Sequence, residues 1–326
     1  MKILKISSFL LLTSLFSCEK PDPDDRIIWE EYNIPEIGIT YSFAFSGDGV
    51  MYSSTSNGIY RSYDKGKEWV MILESGQPTS ICVDGENNLY VNVKGLSIMK
   101  SGDEGESWTK VYIGFTGKQQ TLMAIRDDGA IYLAAPNDNT LYYSTDNMNS
   151  WQNKLFNQGI LDLVELNGKL YLTSYTIFGY RMDILDSALK EVRVIYNQSG
   201  FPRGLAMKGE DLLYYTLGDE MFEVDFLNDS INQVNSPGPE EGYFAGFDHL
   251  IIGQSGDMYI TRDASYPVES YPSIVYRSKD SGISWEVIDP VGEYIYAVSL
   301  SPQDRLYIGV FTHDSSAKIF RSSRLY

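Results

Sequence analysis

Acids dominate the chemically capable residues of this chain, whose 326 residues include 44 Asp and Glu, 26 Lys and Arg, two His and two Cys. Two carboxylates facing each other across a cleft can do general acid–base work on a glycosidic bond. The loop acids that could form such a pair are Asp219, Glu220, Glu240, Glu241, Asp263 and Glu269. A solvated acidic surface is the plainer account of them. The most patterned acids are Asp64, Asp103, Asp146 and Asp280, each two residues after a Ser and five before a Trp. Repetition at one spacing speaks for a turn that folds the same way each time, so these are read as structural. Arg61, Arg181, Arg277 and Arg321 recur at one strand position and are read the same way. Arg126, Arg203, Arg262 and Arg305 are less patterned. Cys82 lies in an apolar run, and His249 and His313 are far apart. Neither a Gly-rich nucleotide cradle, a Gly-x-Ser-x-Gly elbow nor a His-Glu-x-x-His helix is present. No catalytic residue, cofactor or metal is therefore assigned. Two Cys exclude a disulfide-stapled scaffold, and a net charge of -18 excludes a nucleic-acid partner, because phosphate binding needs a basic surface.

These residues are carried by a repeat. With 25 Tyr, 14 Phe and 28 Gly, the composition favours strands and tight turns over helices. Each unit reads as an apolar strand, an Asp/Gly/Asn turn, a strand with Leu/Ile-Tyr, a loop, a strand ending in Tyr-Arg-Ser or similar, then the Asp turn and a fourth strand. Seven units follow one another at about 43 residues each. The first runs from Tyr41 through Tyr52 and Arg61 to Leu73. The sixth begins at Tyr243, and the seventh ends at Ser322 without a fourth strand. In the degenerate fourth and fifth units, Asp183 and Asp225 take the place of the turn acid. The segment Ile27–Asn33 is a spare strand whose Trp29 matches the Trp of the other units. The pattern predicts an all-β, seven-bladed β-propeller of four-stranded antiparallel blades over residues 27–326, with the N-terminal strand closing the last blade.

The motif Ser62-x-Asp64-x-Gly66-x-x-Trp69 resembles the Asp-box, or BNR repeat. Ser101-Asp103-Gly105-Trp108 and Ser278-Asp280-Gly282-Trp285 match it equally, and Ser144-Asp146-Met148-Trp151 has Met in place of Gly. The resemblance implies a structural box between third and fourth strands, on the face away from any ligand. Proteins with this repeat include sialidases, xyloglucan-cleaving hydrolases, sortilin-like receptors and photosystem assembly factors, and the repeat does not choose among them. A sialidase would need three convergent arginines, the first in a Phe-Arg-Ile-Pro-like motif near the domain start. Only Phe201-Pro-Arg203 echoes it, in mid-chain.

The N-terminus carries its own signal. Lys2 and Lys5 precede a short apolar run, Ile6 to Phe16, which reads as a secretory signal over residues 1–17. Leu15-Phe16-Ser17-Cys18 resembles the lipobox of bacterial lipoproteins, which implies acylation of Cys18. The acidic Pro/Asp tether over residues 18–26 is similar to the export signals of Bacteroidetes lipoproteins. The expected location is the outer membrane, lipid-anchored and surface-exposed, with the acyl chains as the sole membrane contact and the protein a monomer.

Ligand contacts are expected on the loops opposite the boxes. The sixth unit carries an insertion about ten residues longer than its equivalents, with Tyr266 and Tyr271 each before Pro. Tyr175, Phe178 and Tyr243 lie on neighbouring loops, and Arg203 and Arg262, expected to be exposed beside the rings, would admit an acidic ligand. Aromatic rings on Pro-bounded loops suit sugars or protein surfaces. The reading is a non-catalytic envelope lipoprotein that binds a glycan or another envelope or extracellular protein. The alternative is a glycoside hydrolase, sialidase-like or another glycan-active propeller enzyme.

Overall fold

The structure is a computed structural model that describes residues 27–33, 38–74, 78–93, 97–112, 122–135, 138–176, 179–197, 202–239, 246–262, 272–288, 294–312 and 316–322. The signal segment, Cys18 and the acidic tether lie outside the described residues. The first strand, β1 (Trp29–Asn33), leads into blade one: β2 (Thr40–Phe45), β3 (Met51–Thr55), β4 (Gly58–Ser62) and β5 (Val70–Glu74). Blade two is β6 (Pro78–Val83), β7 (Leu89–Val93), β8 (Ser97–Ser101) and β9 (Thr109–Tyr112). Blade three is β10 (Leu122–Ile125), β11 (Ile131–Ala134), β12 (Thr140–Ser144) and β13 (Gln152–Leu155). Blade four is β14 (Ile160–Leu166), β15 (Lys169–Thr176), β16 (Gly179–Leu185) and β17 (Glu191–Asn197). Blade five is β18 (Arg203–Lys208), β19 (Leu212–Leu217), β20 (Glu220–Asp225) and β21 (Ser230–Val234). Blade six is β22 (Phe247–Ile252), β23 (Met258–Arg262), β24 (Ile274–Ser278) and β25 (Glu286–Val287). Blade seven has β26 (Tyr294–Leu300), β27 (Leu306–Phe311) and β28 (Ala317–Ser322), and β1 completes it.

The chain is thus a seven-bladed propeller of four-stranded antiparallel sheets, with β1 closing the last blade. The register runs from Trp29 opposite Ser322 to Asn33 opposite Lys318. Each first strand touches the first strand of the next blade, and β26 touches β2, so the inner ring is closed. Fourth strands such as β5, β13 and β21 are the exposed rim. The first strand of blade six lies four residues later than its expected start, at Phe247, directly before the Gly253–Gly256 turn.

The core sits between blades. Phe43, Met51 and Tyr60 of blade one pack on Ala297, Tyr307 and Ile319 of blade seven. Every second strand supplies a buried tyrosine at the same place, namely Tyr52, Tyr90, Tyr132, Tyr171, Tyr214, Tyr259 and Tyr307, and β19 adds Tyr215. A buried hydroxyl without a partner costs about 1–3 kcal/mol, and most of these have one. Tyr90 donates to Asp84 at 2.9 Å, and Tyr132 accepts from Arg126 at 3.0 Å.

The repeated turns are held locally. The Ser62 hydroxyl donates to Asp64 at 2.8 Å, and the same Asp64 oxygen accepts the N–H groups of Lys67 and Glu68. Ser62 Oγ accepts Gly66 N–H, and the Trp69 indole donates to the Gly66 carbonyl at 2.9 Å. The turn requires a left-handed residue at Gly66, Gly105 and Gly282, with φ of 90°, 90° and 86°. Met148 adopts the same conformation at φ 67°, and its N–H still reaches Ser144 Oγ at 3.0 Å. The turn therefore closes without glycine, at a backbone cost of about 1–2 kcal/mol.

These turns also join blades. Trp108 donates to the Ile72 carbonyl of the preceding blade at 3.0 Å, Trp285 to Asn235 at 3.4 Å, and Trp29 to Ile288 at 3.2 Å. Arg61 donates to the Glu104 carbonyl in the next turn, and Arg321 to the matching Lys65 carbonyl across the closure. In blade four the structure corrects the assignment of the turn acid. Asp183 is buried within β16 against Arg181, whereas Asp186 accepts the N–H groups of Ala188 and Lys190.

Two outcomes follow from this arrangement. Trp29→Ala removes both a packed indole and its cross-blade bond, and should lower stability by about 2–3 kcal/mol in urea unfolding. An unchanged midpoint would show that the closure does not depend on it. The second outcome concerns acid. Hydroxyl and N–H bonds from Ser107, Ser150 and Ser284 hold Asp103, Asp146 and Asp280 below the usual range, the first and last down to about 2. An unfolded Asp titrates near 3.9, roughly. Their contribution is complete above that value and is lost as pH falls toward about 2. Melting temperatures between pH 5 and pH 2 should therefore fall steeply, and less steeply in Asp103→Asn/Asp280→Asn.

Candidate functional site

Strand direction fixes which residues can share a site. Turns between first and second strands, and the Ser-Asp-Gly-Trp turns, lie at one end of the propeller. The other end carries the loops between second and third strands and the connections between blades. At that loop end, six of the seven first strands begin with a register irregularity, at Thr40/Ser42, Pro78/Ser80, Ile160/Asp162, Arg203/Ala206, Phe247/Leu250 and Ile295/Ala297. A bulge leaves its extra residue outside the ladder and turns its side chain elsewhere.

In blades four to six the bulges surround a cavity of about 850 Å³, lined by Asp162, Arg203, Leu205, Asp248, His249 and their neighbours. Asp248 and His249 together oppose Thr261. The His249 N–H donates to Thr261 Oγ1 at 3.1 Å, and the ring Nδ1 lies 3.0 Å from the same oxygen and 3.4 Å from Asp248. Arg203 donates to Asp248 at 3.0 Å. Gly204 makes this pairing geometrically feasible. A Cβ there would lie 2.9 Å from Leu250 N and 3.0 Å from the Asp248 carbonyl, and φ is 50°. Burial lifts the Asp162 carboxyl above its ordinary range, opposed by the Leu163 N–H, and the charge of Asp248 adds to the lift.

Aromatic rings stand at the same end. Tyr41 and Tyr296 occupy bulged positions of adjacent blades, and both are exposed, as is Tyr294. Tyr294 and Tyr296 have centroids 6.4 Å apart, and Tyr296 meets Phe311 edge-on at 6.3 Å. Tyr175, at the end of β15, is 60% exposed and edge-on to Tyr180 at 5.6 Å.

Of the expected ligand residues, Tyr175 and Arg203 are therefore at the loop end. Phe178, Tyr243, Tyr266 and Tyr271 lie outside the described residues, as do Glu240, Glu241, Asp263 and Glu269. The expected exposure of Arg262 is corrected. Its side chain is 0% exposed, pairs with Asp219, donates to the Gly238 carbonyl and stacks 4.5 Å from the Phe247 ring centroid. It ties blade six to blade five, and Asp219 is spent as its counter-ion. Glu220 accepts from Gln233 at 3.1 Å on the blade surface. Burial pushes the Cys82 thiol up to about 11, which leaves it unreactive at neutral pH. Among the described residues, no group of three or more His, Cys, Asp or Glu is placed to hold a metal ion.

Sequence reasoning missed Asp162, Asp248, His249, Tyr41, Tyr294 and Tyr296. The signal was present as polar residues interrupting apolar first strands, in Leu-Asp-Leu, Phe-Asp-His-Leu and Tyr-Ile-Tyr.

No family model matches the chain. A stretch of 123 residues is 27% identical to a xyloglucanase of Paenibacillus sp., covering 36% of this chain and 10% of that relative. The chain thus spans about a tenth of the curated relative's length. Virginiamycin B lyase from Staphylococcus aureus superimposes with a TM-score of 0.68 at 13% identity, over 91% of this chain and 99% of the lyase. The structure of YCF48 bound to D1 peptide gives 0.67 at 14% identity, over 91% and 97%. At these identities the shared property is the propeller fold, which serves an enzyme in one case and a peptide binder in the other.

The ion pair at blades five and six is open to test. Asp219→Ala would take a carboxylate partner from the buried Arg262 guanidinium, at a cost of about 3 kcal/mol. Glu220→Ala beside it should stay within about 0.5 kcal/mol. Equal effects in chemical denaturation would contradict the assignment of Arg262 as an inter-blade lock.

Proposed function

We propose that this chain is a non-catalytic surface lipoprotein that binds a glycan at the loop end of its propeller. The observation that carries the reading is the row of exposed tyrosine rings, Tyr41, Tyr294 and Tyr296, at the end where a polar cavity opens among blades four to six. Flat rings cover the C–H faces of sugars at low entropic cost, and a few placed polar groups give direction. Tyr266 and Tyr271 of the sixth-blade insertion and Tyr243 before β22 belong to the same reading as further contacts. The Ser-Asp-Gly-Trp turns are taken as Asp-boxes, which puts scaffold at one end and leaves the other for ligand. Cys18 is taken as the acylated residue, so that the tether of residues 18–26 holds the propeller on the outer membrane facing outward, as a monomer without a cofactor. The stretch shared with a xyloglucanase supports a glycan over an unrelated ligand class.

A second reading has one observation in its favour. Asp162 and Asp248 line one cavity, and the first is shifted toward its neutral form while the second is paired with Arg203. Two carboxyls facing one cavity are what a glycoside hydrolase uses.

A glycan array probed with the full chain separates these readings. Retention of one glycan class without cleavage, weakened roughly ten-fold or more in Tyr294→Ala and Tyr296→Ala, is the expected result. Turnover of the retained glycan, abolished in Asp162→Asn, would replace binding by hydrolysis. No retained glycan would overturn the reading and leave a protein partner.

A further inference from the structure

We infer that the cavity among blades four to six is a subsite for one neutral pyranose at the end of a glycan, gripped by Asp248, Arg203 and Asp162. This rests on the glycan reading above and narrows it to a ligand class and a location. Three separate blades supply the groups, so the site exists only in the closed ring: Asp162 from β14, Arg203 from β18, and Asp248 with His249 from β22. Asp248 and His249 enter through the bulge of β22, Asp162 and Arg203 flank the bulges of β14 and β18, and Gly204 lets β18 and β22 approach closely enough for the 3.0 Å Arg203–Asp248 bond.

The polar groups are planar and forked. A carboxylate or guanidinium edge meets two adjacent hydroxyls at once, as vicinal diols of a pyranose present them. Val164 and Leu205 supply apolar wall for the C–H face. A volume of about 850 Å³ holds a sugar ring with room for its linkage to leave through the mouth.

Charge selects against an acidic sugar. Arg262, which would have favoured one, is enclosed with Asp219, and Arg203 is engaged by Asp248. A ligand carboxylate would enter a cavity whose acids are Asp162 and Asp248 and whose one arginine is already bonded to one of them. A sugar that only exchanges hydrogen bonds meets no such opposition.

The test is calorimetric titration of the full chain with methyl glycosides of glucose, galactose, mannose and xylose, and with methyl glucuronide. Asp248→Asn, Arg203→Met and the rim variant Tyr296→Ala are titrated alongside, with circular dichroism and melting temperature to confirm folding. One neutral glycoside should bind, the glucuronide should bind at least ten-fold more weakly, and Asp248→Asn and Arg203→Met should each weaken the neutral sugar roughly ten-fold. Tighter binding of the glucuronide, or neutral binding unchanged in both cavity variants, would overturn the subsite. If array glycans are still retained and respond only to Tyr296→Ala, the glycan reading stands and the subsite fails. If no methyl glycoside binds and the array is blank, both fail.

Discussion

The pairing of β1 with β28 is the contact on which the rest of the molecule depends. It joins residues almost 300 positions apart and turns seven hairpin-rich sheets into a ring without a free inner edge. Glu30 accepts from Arg321 across it at 2.5 Å, and Arg321 also reaches the Lys65 carbonyl of blade one. The closing blade is thus bonded to its sheet partner and to the next blade by one guanidinium. The same device recurs between blades one and two, where Arg61 reaches Glu104. The core between blades, with a buried tyrosine on every second strand, depends on the ring staying shut.

That rigidity is what makes a site out of residues that share no sequence neighbourhood. Asp162, Arg203 and Asp248 lie on three successive inner strands, each displaced from regular pairing at its first residues. Regular pairing would continue the ladder to the strand ends and keep these side chains alternating between blade faces. The bulge of β22 puts Asp248 outside the ladder, beside Asp162 and Arg203 at the loop end, while at the opposite end aspartates and serines bond within their turns and indoles donate to backbone carbonyls. On the proposed reading, scaffold and ligand chemistry are separated along the propeller axis.

Much of the architecture was legible in the residues. The period, the apolar-Tyr pair of each second strand, the four Ser-x-Asp turns that end in Trp and the spare strand at Trp29 fix the blade count and the closure, because the first two recur in all seven units and the spare strand fills the one missing place. The degenerate units were harder. Asp183 mimics a turn acid in spacing but sits within β16, and Asp186 does the turn's work. The site was less legible, for a physical reason. Bulges arise from pairing between strands, and no residue pattern along one strand marks them. Arg262 has the composition of a loop contact, and only the fold shows that Asp219 of the neighbouring blade encloses it. Asp162 and Asp248-His249 did leave a trace, as charged residues in strands otherwise apolar.

The account places ligand at the loop end of the inner strands and scaffold at the turn end. Hydrogen–deuterium exchange of the chain with and without a glycan retained on the array tests this directly. Protection confined to the starts of β14, β18, β22 and β26 is the predicted result. Protection at the Ser-Asp-Gly-Trp turns or along the outer strands, with these starts unchanged, would contradict it.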